Sequence, residues 1–302
     1  MTSSVDHALQ VLLSGGLVAI PTETVYGLAA DATNAAAVGR IFAAKGRPTD
    51  HPLIVHVGRA EQLTEWASTV PSTAAALADT CWPGPLTLLV PKAKHVLPIV
   101  TGGRDTVGVR VPAHPLTAEL LARFGGGLAA PSANRFGRVS PTTADHVRAD
   151  LGGLVDYVLD GGACPVGVES TIVDCTRDPP QVLRPGAISA DEIATLLGSP
   201  PAAADGPNRA PGMLAAHYAP QARVLIAESR TEAVEVAARH PRSWVLDHSD
   251  DLATYARLLY AELHAADARG VSVVVAVLPA AHGLGHAIRD RLGKAAHSKF
   301  GD

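Results

Sequence analysis

The sequence predicts an α/β protein in two parts. The first is a mixed, twisted sheet with flanking helices, and the second is a small parallel, Rossmann-like unit. Three observations carry this. Short apolar runs alternate with helical stretches along the chain. Several of those runs are apolar throughout, as strands buried on both faces are. Composition breaks at Ser199, and the alternation then restarts as three β–α units.

The segment MTSSVDHALQVLLSGG has no basic stretch before its short apolar run and carries Asp6, so it reads as an amphipathic helix and not a signal peptide. LVAIP is a strand, followed by a helix around Ala35–Ala44. LIVHV precedes the helical RAEQLTEWA. The strands LTLLVP, TVGVRVP, GLAAPSA, YVLDG, STIVD and QVLRP follow, with helices near Leu116–Phe124, Thr143–Leu151 and Ala190–Leu197. No helix separates STIVD from QVLRP, which predicts a mixed sheet. SPPAAADGPNRAPG has no periodicity and reads as a linker. Beyond Pro220 come RVLIA with a helix from Thr231, SWVLD with a helix over Leu252–Ala268, and VSVVVAVLP with a helix from Gly285. The expected organisation is a first domain over 1–198, a linker over 199–220 and a second domain over 221–302. The first sheet is complete in sequence before the linker, so a chain ending near Gly198 is expected to fold alone.

At 302 residues and 47% hydrophobic, the chain can bury a core in each part. The formal charge of −4 supplies no global basic field for nucleic acid or anionic lipid, so any anion site must be local. Cys81, Cys164 and Cys175 show no CxxC spacing, which fits a reducing cytoplasm. No apolar run reaches the ~18–20 residues that span a membrane. There is no Ser–His–Asp order, HExxH, zinc spacing or Walker sequence.

The candidate chemistry lies in polar loops. PTETVYGLAADA (Pro21–Ala32) brings hydroxyls and one acid to the end of an apolar strand. If that strand continues, Thr22, Thr24 and Tyr26 share a face. The next helix ends in Lys45 and Arg47, which suit a phosphorylated ligand or, more plainly, complement the helix dipole. His56 inside LIVHV reads as a satisfied core histidine or a ligand contact. Thr106 and Arg110 share a face of one strand, and a half-buried guanidinium there needs a partner, either an internal acid or a ligand carboxylate. Ser132, Asn134, Ser140 and Thr142 form a loop able to line phosphates or to cap the following helix. Glu169, Ser170 and Thr171 open the strand STIVD. His217 and Tyr218 sit in the linker, where a flap over a pocket gives them work.

These segments, with PLIVHV, WPGPLTLLVP, VGVRVPAHP, APSANRFGRVSPT, GVESTIVD and VLRPG, resemble the YrdC-type threonylcarbamoyl-AMP synthases, in order and over nearly the whole chain. APGMLAAHYAP and GLGHAIRDRLGKAA resemble the linker and the end of the second domain of the longer form. The resemblance implies a YrdC-like fold and a nucleotidyltransferase that makes L-threonylcarbamoyladenylate from L-threonine, bicarbonate and ATP. Pyrophosphate leaves, and a downstream threonylcarbamoyl transferase modifies tRNA. It implies ATP contacts from Lys45, Arg47, His51, Thr106, Ser132, Asn134, Ser140, Thr142, Arg184, His217 and Tyr218. It implies threonine contacts from Thr24, His56, Arg110, Ser132 and Ser170. Lys45 and Arg47 are the electrostatic stabilisers, and no residue is a dedicated nucleophile. Magnesium is expected with ATP, held mainly by phosphates and by no protein ligand set. Three positions depart from the pattern: His51 for Asn, Phe136 for Ser, and Ala216 for a basic residue. Two alternatives stand beside this reading. An O-carbamoyltransferase of the same fold expects more cysteines, and a non-enzymatic RNA-binding module expects a basic stripe.

Overall fold

The structure, a computed structural model, describes residues 3–206, 209–213 and 217–297. In the first part the helices are α1 (Ser4–Leu13), α2 (Ala35–Lys45), α3 (Leu63–Trp66), α4 (Ser72–Cys81), α5 (Pro98–Thr101), α6 (Pro115–Phe124), α7 (Ala144–Leu151) and α8 (Ala190–Leu197). The strands are β1 (Val18–Ile20), β2 (Gly27–Asp31), β3 (Ile54–His56), β4 (Leu86–Pro91), β5 (Thr106–Arg110), β6 (Leu128–Ala129), β7 (Tyr157–Val158), β8 (Thr171–Asp174), β9 (Gln181–Arg184) and β10 (Ala202–Ala203). They form one ten-stranded sheet in the order β10-β9-β8-β4-β5-β3-β6-β2-β1-β7. Parallel and antiparallel pairs mix, as the missing crossover helix predicts. One face is covered by α2 and α4 and the other by α1 and α6.

Local sequence sets the ends that matter for the site. Asn34 caps α2, and Gly46 closes it in the left-handed region at φ 61°. That fixed stop puts Lys45 in the last turn and Arg47 just beyond it.

The second part holds β11 (Arg223–Ala227), α9 (Arg230–Ala237), β12 (Ser243–Leu246), α10 (Leu252–Ala268), β13 (Val273–Val277) and α11 (Leu284–His297). Its three strands are all parallel, in the order β11-β13-β12. Central β13 is buried along its whole length, as its unbroken apolar run predicts.

Three expectations change. β1 stops at Ile20, so Thr22, Thr24 and Tyr26 lie in a turn and share no strand face. Thr22 bonds Thr24 at 2.8 Å, whereas Tyr26 turns away and donates to the Gly162 carbonyl. GLAAD forms a strand that its alanines, poor strand formers, conceal. Two linker residues, Ala202 and Ala203, add β10 to the sheet edge beside β9.

The two parts also share a core. Val25, Val139 and Val168 of the first pack in one cluster with Tyr218 and with Leu259, Tyr260 and Ile288 of the second. At Gly167, φ 81°, any Cβ would run into the backbone of α10 at Ala256 and Arg257. A chain ending at Gly198 therefore loses β10 and uncovers those valines. At roughly 1.5–3 kcal/mol per buried side chain, it should be less stable than the full chain by at least about 4 kcal/mol. Urea unfolding of the two chains, with dye binding to exposed apolar surface, checks this. Equal midpoints would show the shared core to be of no consequence.

Candidate active site

One deep cavity lies between the sheet and the linker. Its floor is Thr22, Thr24, His56 and Arg110, its side is Ser132, Ser170 and Glu169, and its cations are Arg47 and Arg184. Pro211, Gly212, His217 and Tyr218 of the linker close it. About 50 Å³ of open space remains, room for a few waters.

The cations are unusual in being buried with few acids among them. Arg47 is 8% exposed and donates to the Pro52 carbonyl at 2.9 Å, whereas its Nε has no partner. Burial, with Arg184 adding repulsion, brings its pKa down to about 10. Arg184 donates to the Ser170 carbonyl at 2.8 and 3.0 Å and to the Ser170 hydroxyl at 3.1 Å. His56 and His217 are both pushed to about 3, chiefly by burial, so both are neutral near pH 7. The buried Nδ1 of His56 makes no hydrogen bond among the described residues.

Arg110 has the internal partner that a half-buried guanidinium asks for. Its Nη2 lies 2.7 Å from Glu23 Oε1, though the pair is poorly aligned for a hydrogen bond. Its Nε donates to the Gly84 carbonyl, and Glu23 also accepts from the Ala113 N–H. Sequence reading noticed the acid of PTET without giving it a role. The signal was there: a lone acid amid buried residues needs a cation.

Of the residues expected in the site, Thr24, Arg47, His56, Arg110, Ser132, Ser170, Arg184, His217 and Tyr218 line the cavity. Six do not, for identifiable reasons. Lys45 Nζ donates to the carbonyls of Ser132 (2.6 Å) and Asn134 (2.5 Å), so it ties their loop to α2. Burial, with repulsion from Arg47, holds its pKa well below the usual lysine range. Asn134 donates to the carbonyls of Arg135 and Arg138 and shapes the same loop. Ser140 donates to Glu169 at 2.6 Å. Thr142 sits on His146 at the start of α7. Thr106 opens β5, four residues and roughly 13 Å from Arg110. His51 packs edge-on against Phe136 with ring centroids 5.2 Å apart. Phe136 in turn lies under the Arg47 guanidinium and meets His217. Its departure from Ser thus adds an apolar wall where cation and linker meet. Ala216 lies outside the described residues.

Sequence reading missed the contribution of α11. Arg291 is fully buried, and its Nε donates to Glu169 Oε2 at 2.7 Å. Glu169 also accepts from Tyr260 at 2.9 Å and from Ser140. Burial alone would raise that carboxyl. The Arg291 and Arg184 guanidiniums and the Ser140 hydroxyl outweigh it and hold the pKa at about 2. Arg291 also lies 5.1 Å from the Tyr218 ring, and Lys294 donates to the Gly212 carbonyl at 2.6 Å. Tyr218 sits in the left-handed region at φ 64°, strained for a bulky residue and held by these contacts. Gly212, at φ 82°, has no room for a side chain, since a Cβ would lie 2.6 Å from the Tyr218 hydroxyl. At the other end of the linker, Arg209 reaches buried Asp174 at 3.2 Å.

Arg291→Met should cost about 3–5 kcal/mol, because it strands a buried carboxylate. Glu169→Gln with Arg291→Met should cost less than Arg291→Met alone. Urea unfolding of the full cycle checks this, and additive losses would dismiss the pairing. The pH dependence follows from the same groups. His56 and His217 have folded values below the unfolded 6.5, so the unfolded chain binds more protons as pH falls. Their contribution is complete above pH 6.5 and is lost progressively toward pH 3. Glu169 acts in the same sense below about pH 4.5. Urea midpoints should therefore fall steadily from pH 6.5 to 4. A midpoint unchanged at pH 5 would contradict the histidine environments.

Comparison with known proteins places the geometry. The family model described as "Telomere recombination", covering Sua5, YciO and YrdC proteins, matches residues 10–186. The model described as "Threonylcarbamoyl-AMP synthase, C-terminal domain" matches residues 188–297. The threonylcarbamoyl-AMP synthase of Pyrococcus abyssi is 42% identical, over 93% of this chain and 90% of that one. That of Bacillus subtilis is 38% identical, over 97% of this chain and 92% of the other. A crystal structure of P. abyssi Sua5 complexed with L-threonine superposes with a TM-score of 0.91 at 39% identity, covering 97% of this chain and 94% of that chain. The chain belongs to the Sua5/YciO/YrdC family, in the form that carries the threonylcarbamoyl-AMP synthase C-terminal domain.

Proposed function

We infer that in this cavity the chain forms L-threonylcarbamoyladenylate from L-threonine, bicarbonate and ATP, releasing pyrophosphate. The observation that carries the assignment to the cavity is Arg47: a buried guanidinium with an unpartnered Nε, beside a second buried arginine. Such a pair is costly to bury and suits a polyanion.

The chemistry divides along the cavity. The threonine amine bonds to the carbon of bicarbonate as a C–O bond breaks and water leaves, giving a carbamate. A carbamate oxygen bonds to the α-phosphorus as the bond to the β-phosphate oxygen breaks, and the electron pair leaves with pyrophosphate. Arg47 and Arg184 offset the charge that develops on the phosphates. The threonine end is the floor and the adjoining side: Thr24, His56 and Arg110 below, with Ser132 and Ser170 beside them. Neutral His56 can exchange a hydrogen bond with the threonine hydroxyl without adding charge. Arg110 shares its guanidinium between Glu23 and the substrate carboxylate. Glu169 in the cavity wall and Glu23 behind Arg110 are already bound by arginines, so magnesium accompanying the nucleotide would be held mainly by phosphates and would offset their charge.

A carbamate and a mixed anhydride both suffer in water, and the linker lies over the cavity as a shield. The space beneath it is too small for ATP, so Pro211–Gly212 and His217–Tyr218 lift to admit the nucleotide and settle again. The product is short-lived, and the reaction calls for a threonylcarbamoyl transferase acting on tRNA to consume it. No helix among the described residues is long and apolar enough to cross a membrane.

Pyrophosphate release should require threonine and bicarbonate together. Arg47→Ala should weaken a non-hydrolysable ATP analogue by about 1.5–3 kcal/mol, roughly 10- to 150-fold, as read by calorimetry. Valine, which lacks the hydroxyl, should be a poor substrate. Unchanged nucleotide affinity, or valine turning over like threonine, would overturn the placement of the site.

A further inference from the structure

We propose that the N-terminal edge of the second sheet is a docking surface for the phosphate backbone of RNA. The proposal goes beyond the adenylation reaction and does not depend on it. Three segments meet at this edge: 222–224, 238–244 and 268–273. They contain Arg223, Arg239, Arg242 and Arg269, with His240 and Trp244, and no acidic residue. All four arginines are exposed.

The topology brings them together. Arg223 and Ser243 both register opposite Val273, one on each side of β13. Strands lie ~4.8 Å apart, so the backbones of β11 and β12 are only about 10 Å apart here. The Arg223 N–H donates to the Ser272 carbonyl at 2.9 Å, and the Ser272 N–H donates to the Arg242 carbonyl at 3.0 Å, which ties the three segments into one ledge. The Arg269 guanidinium carbon lies over the Trp244 ring, 4.5 Å from its centroid, a cation–π contact that restricts the side chain. The flanking acid, Asp267, is engaged by Arg138 and by the N–H groups of Gln221 and Ala222.

Charge and residue type select the occupant. The chain carries a net −4, so four exposed arginines on three segments that themselves hold no acid are a local excess of positive charge; a further flanking acid, Glu262, accepts from the Trp244 Nε1–H at 3.1 Å and meets His248 at 2.6 Å. Guanidiniums match phosphate oxygens bidentately, and exposed Ser272 adds a hydroxyl of the kind that contacts backbone phosphates. A charge of this kind made by folding is invisible as a stripe in sequence. The ledge is also near the cavity. Arg223 follows Tyr218 by five residues, at most about 18 Å of chain. RNA held there would lie beside the linker that releases product.

The test uses the full chain and fluorescence anisotropy of a labelled, unmodified tRNA transcript. The variant combines Arg239→Ala, Arg242→Asn and Arg269→Ala. Asn is chosen because Arg242 sits in the left-handed region at φ 60°, which Asn tolerates. The native chain should bind RNA at about 50 mM salt and lose it steeply on raising salt. The variant should bind at least about tenfold more weakly, with a log–log salt slope shallower by roughly two, while pyrophosphate release stays unchanged. The double variant Arg239→Ala, Arg242→Asn keeps the Arg269–Trp244 stack and should show an intermediate loss. The idea is overturned if the native chain does not bind RNA at low salt, or if affinity and slope ignore the substitutions. It is overturned equally if polyglutamate binds the ledge more tightly than RNA, which would mark an acidic protein partner.

Discussion

The contact on which most of this structure depends is the buried pair between Glu169 and Arg291. Glu169 lies two residues before β8 of the first part, and Arg291 projects from α11 of the second. A carboxylate in that position is tolerable only because a guanidinium and two hydroxyls surround it. Each partner does a second thing. Through Ser140, Glu169 fixes the loop that carries Ser132. Arg291 packs on Tyr218 and donates to the Pro185 carbonyl, next to Arg184. One ion pair thus couples the floor, the cation wall and the linker of the cavity. The second part is a structural component of the site, not an appendage.

The cavity gathers buried cations without a glycine-rich phosphate loop. Lys45 and Arg47 lie at the end of the same helix but do different work. The lysine spends its donors on two loop carbonyls, and the arginine faces the cavity. A compact ammonium with rotatable donors can gather converging carbonyls. A planar fork keeps a donor edge free for a ligand. The order Lys–Gly–Arg, with glycine turning left-handed, is what sends the two side chains to different places.

What was legible in sequence was whatever depends on local pattern. The strand runs, the helix over Leu252–Ala268 and the parallel second sheet follow from periodicity. Nine of the expected residues line the cavity, and His56, Arg110 and Arg184 do so because each is the last residue of its strand. The rest depended on pairs far apart in the chain. Glu23 with Arg110 and Glu169 with Arg291 cannot be matched by spacing, since many acids and bases compete for each. Lys45, Ser140 and Asn134 have the right chemistry for phosphates, but nearby backbone and carboxylate acceptors claim them first. GLAAD and Ala202–Ala203 are strands by tertiary pairing alone, against their alanine propensity.

The separation of Glu169 from Arg291 along the chain, 122 residues, has a consequence for biosynthesis. At translation rates of about 5–20 residues per second, the carboxylate emerges roughly 6–24 seconds before its partner exists. During that interval the first sheet can assemble, but the cavity wall and the strained Tyr218 have nothing to hold them. Assembly of the reactive chamber is therefore deferred until the second part has been made and has docked. A polypeptide interrupted before α11 carries Arg47, Arg110 and Arg184 and still lacks the partner that braces Glu169 and Tyr218, so the closed cavity is a property of the two parts together.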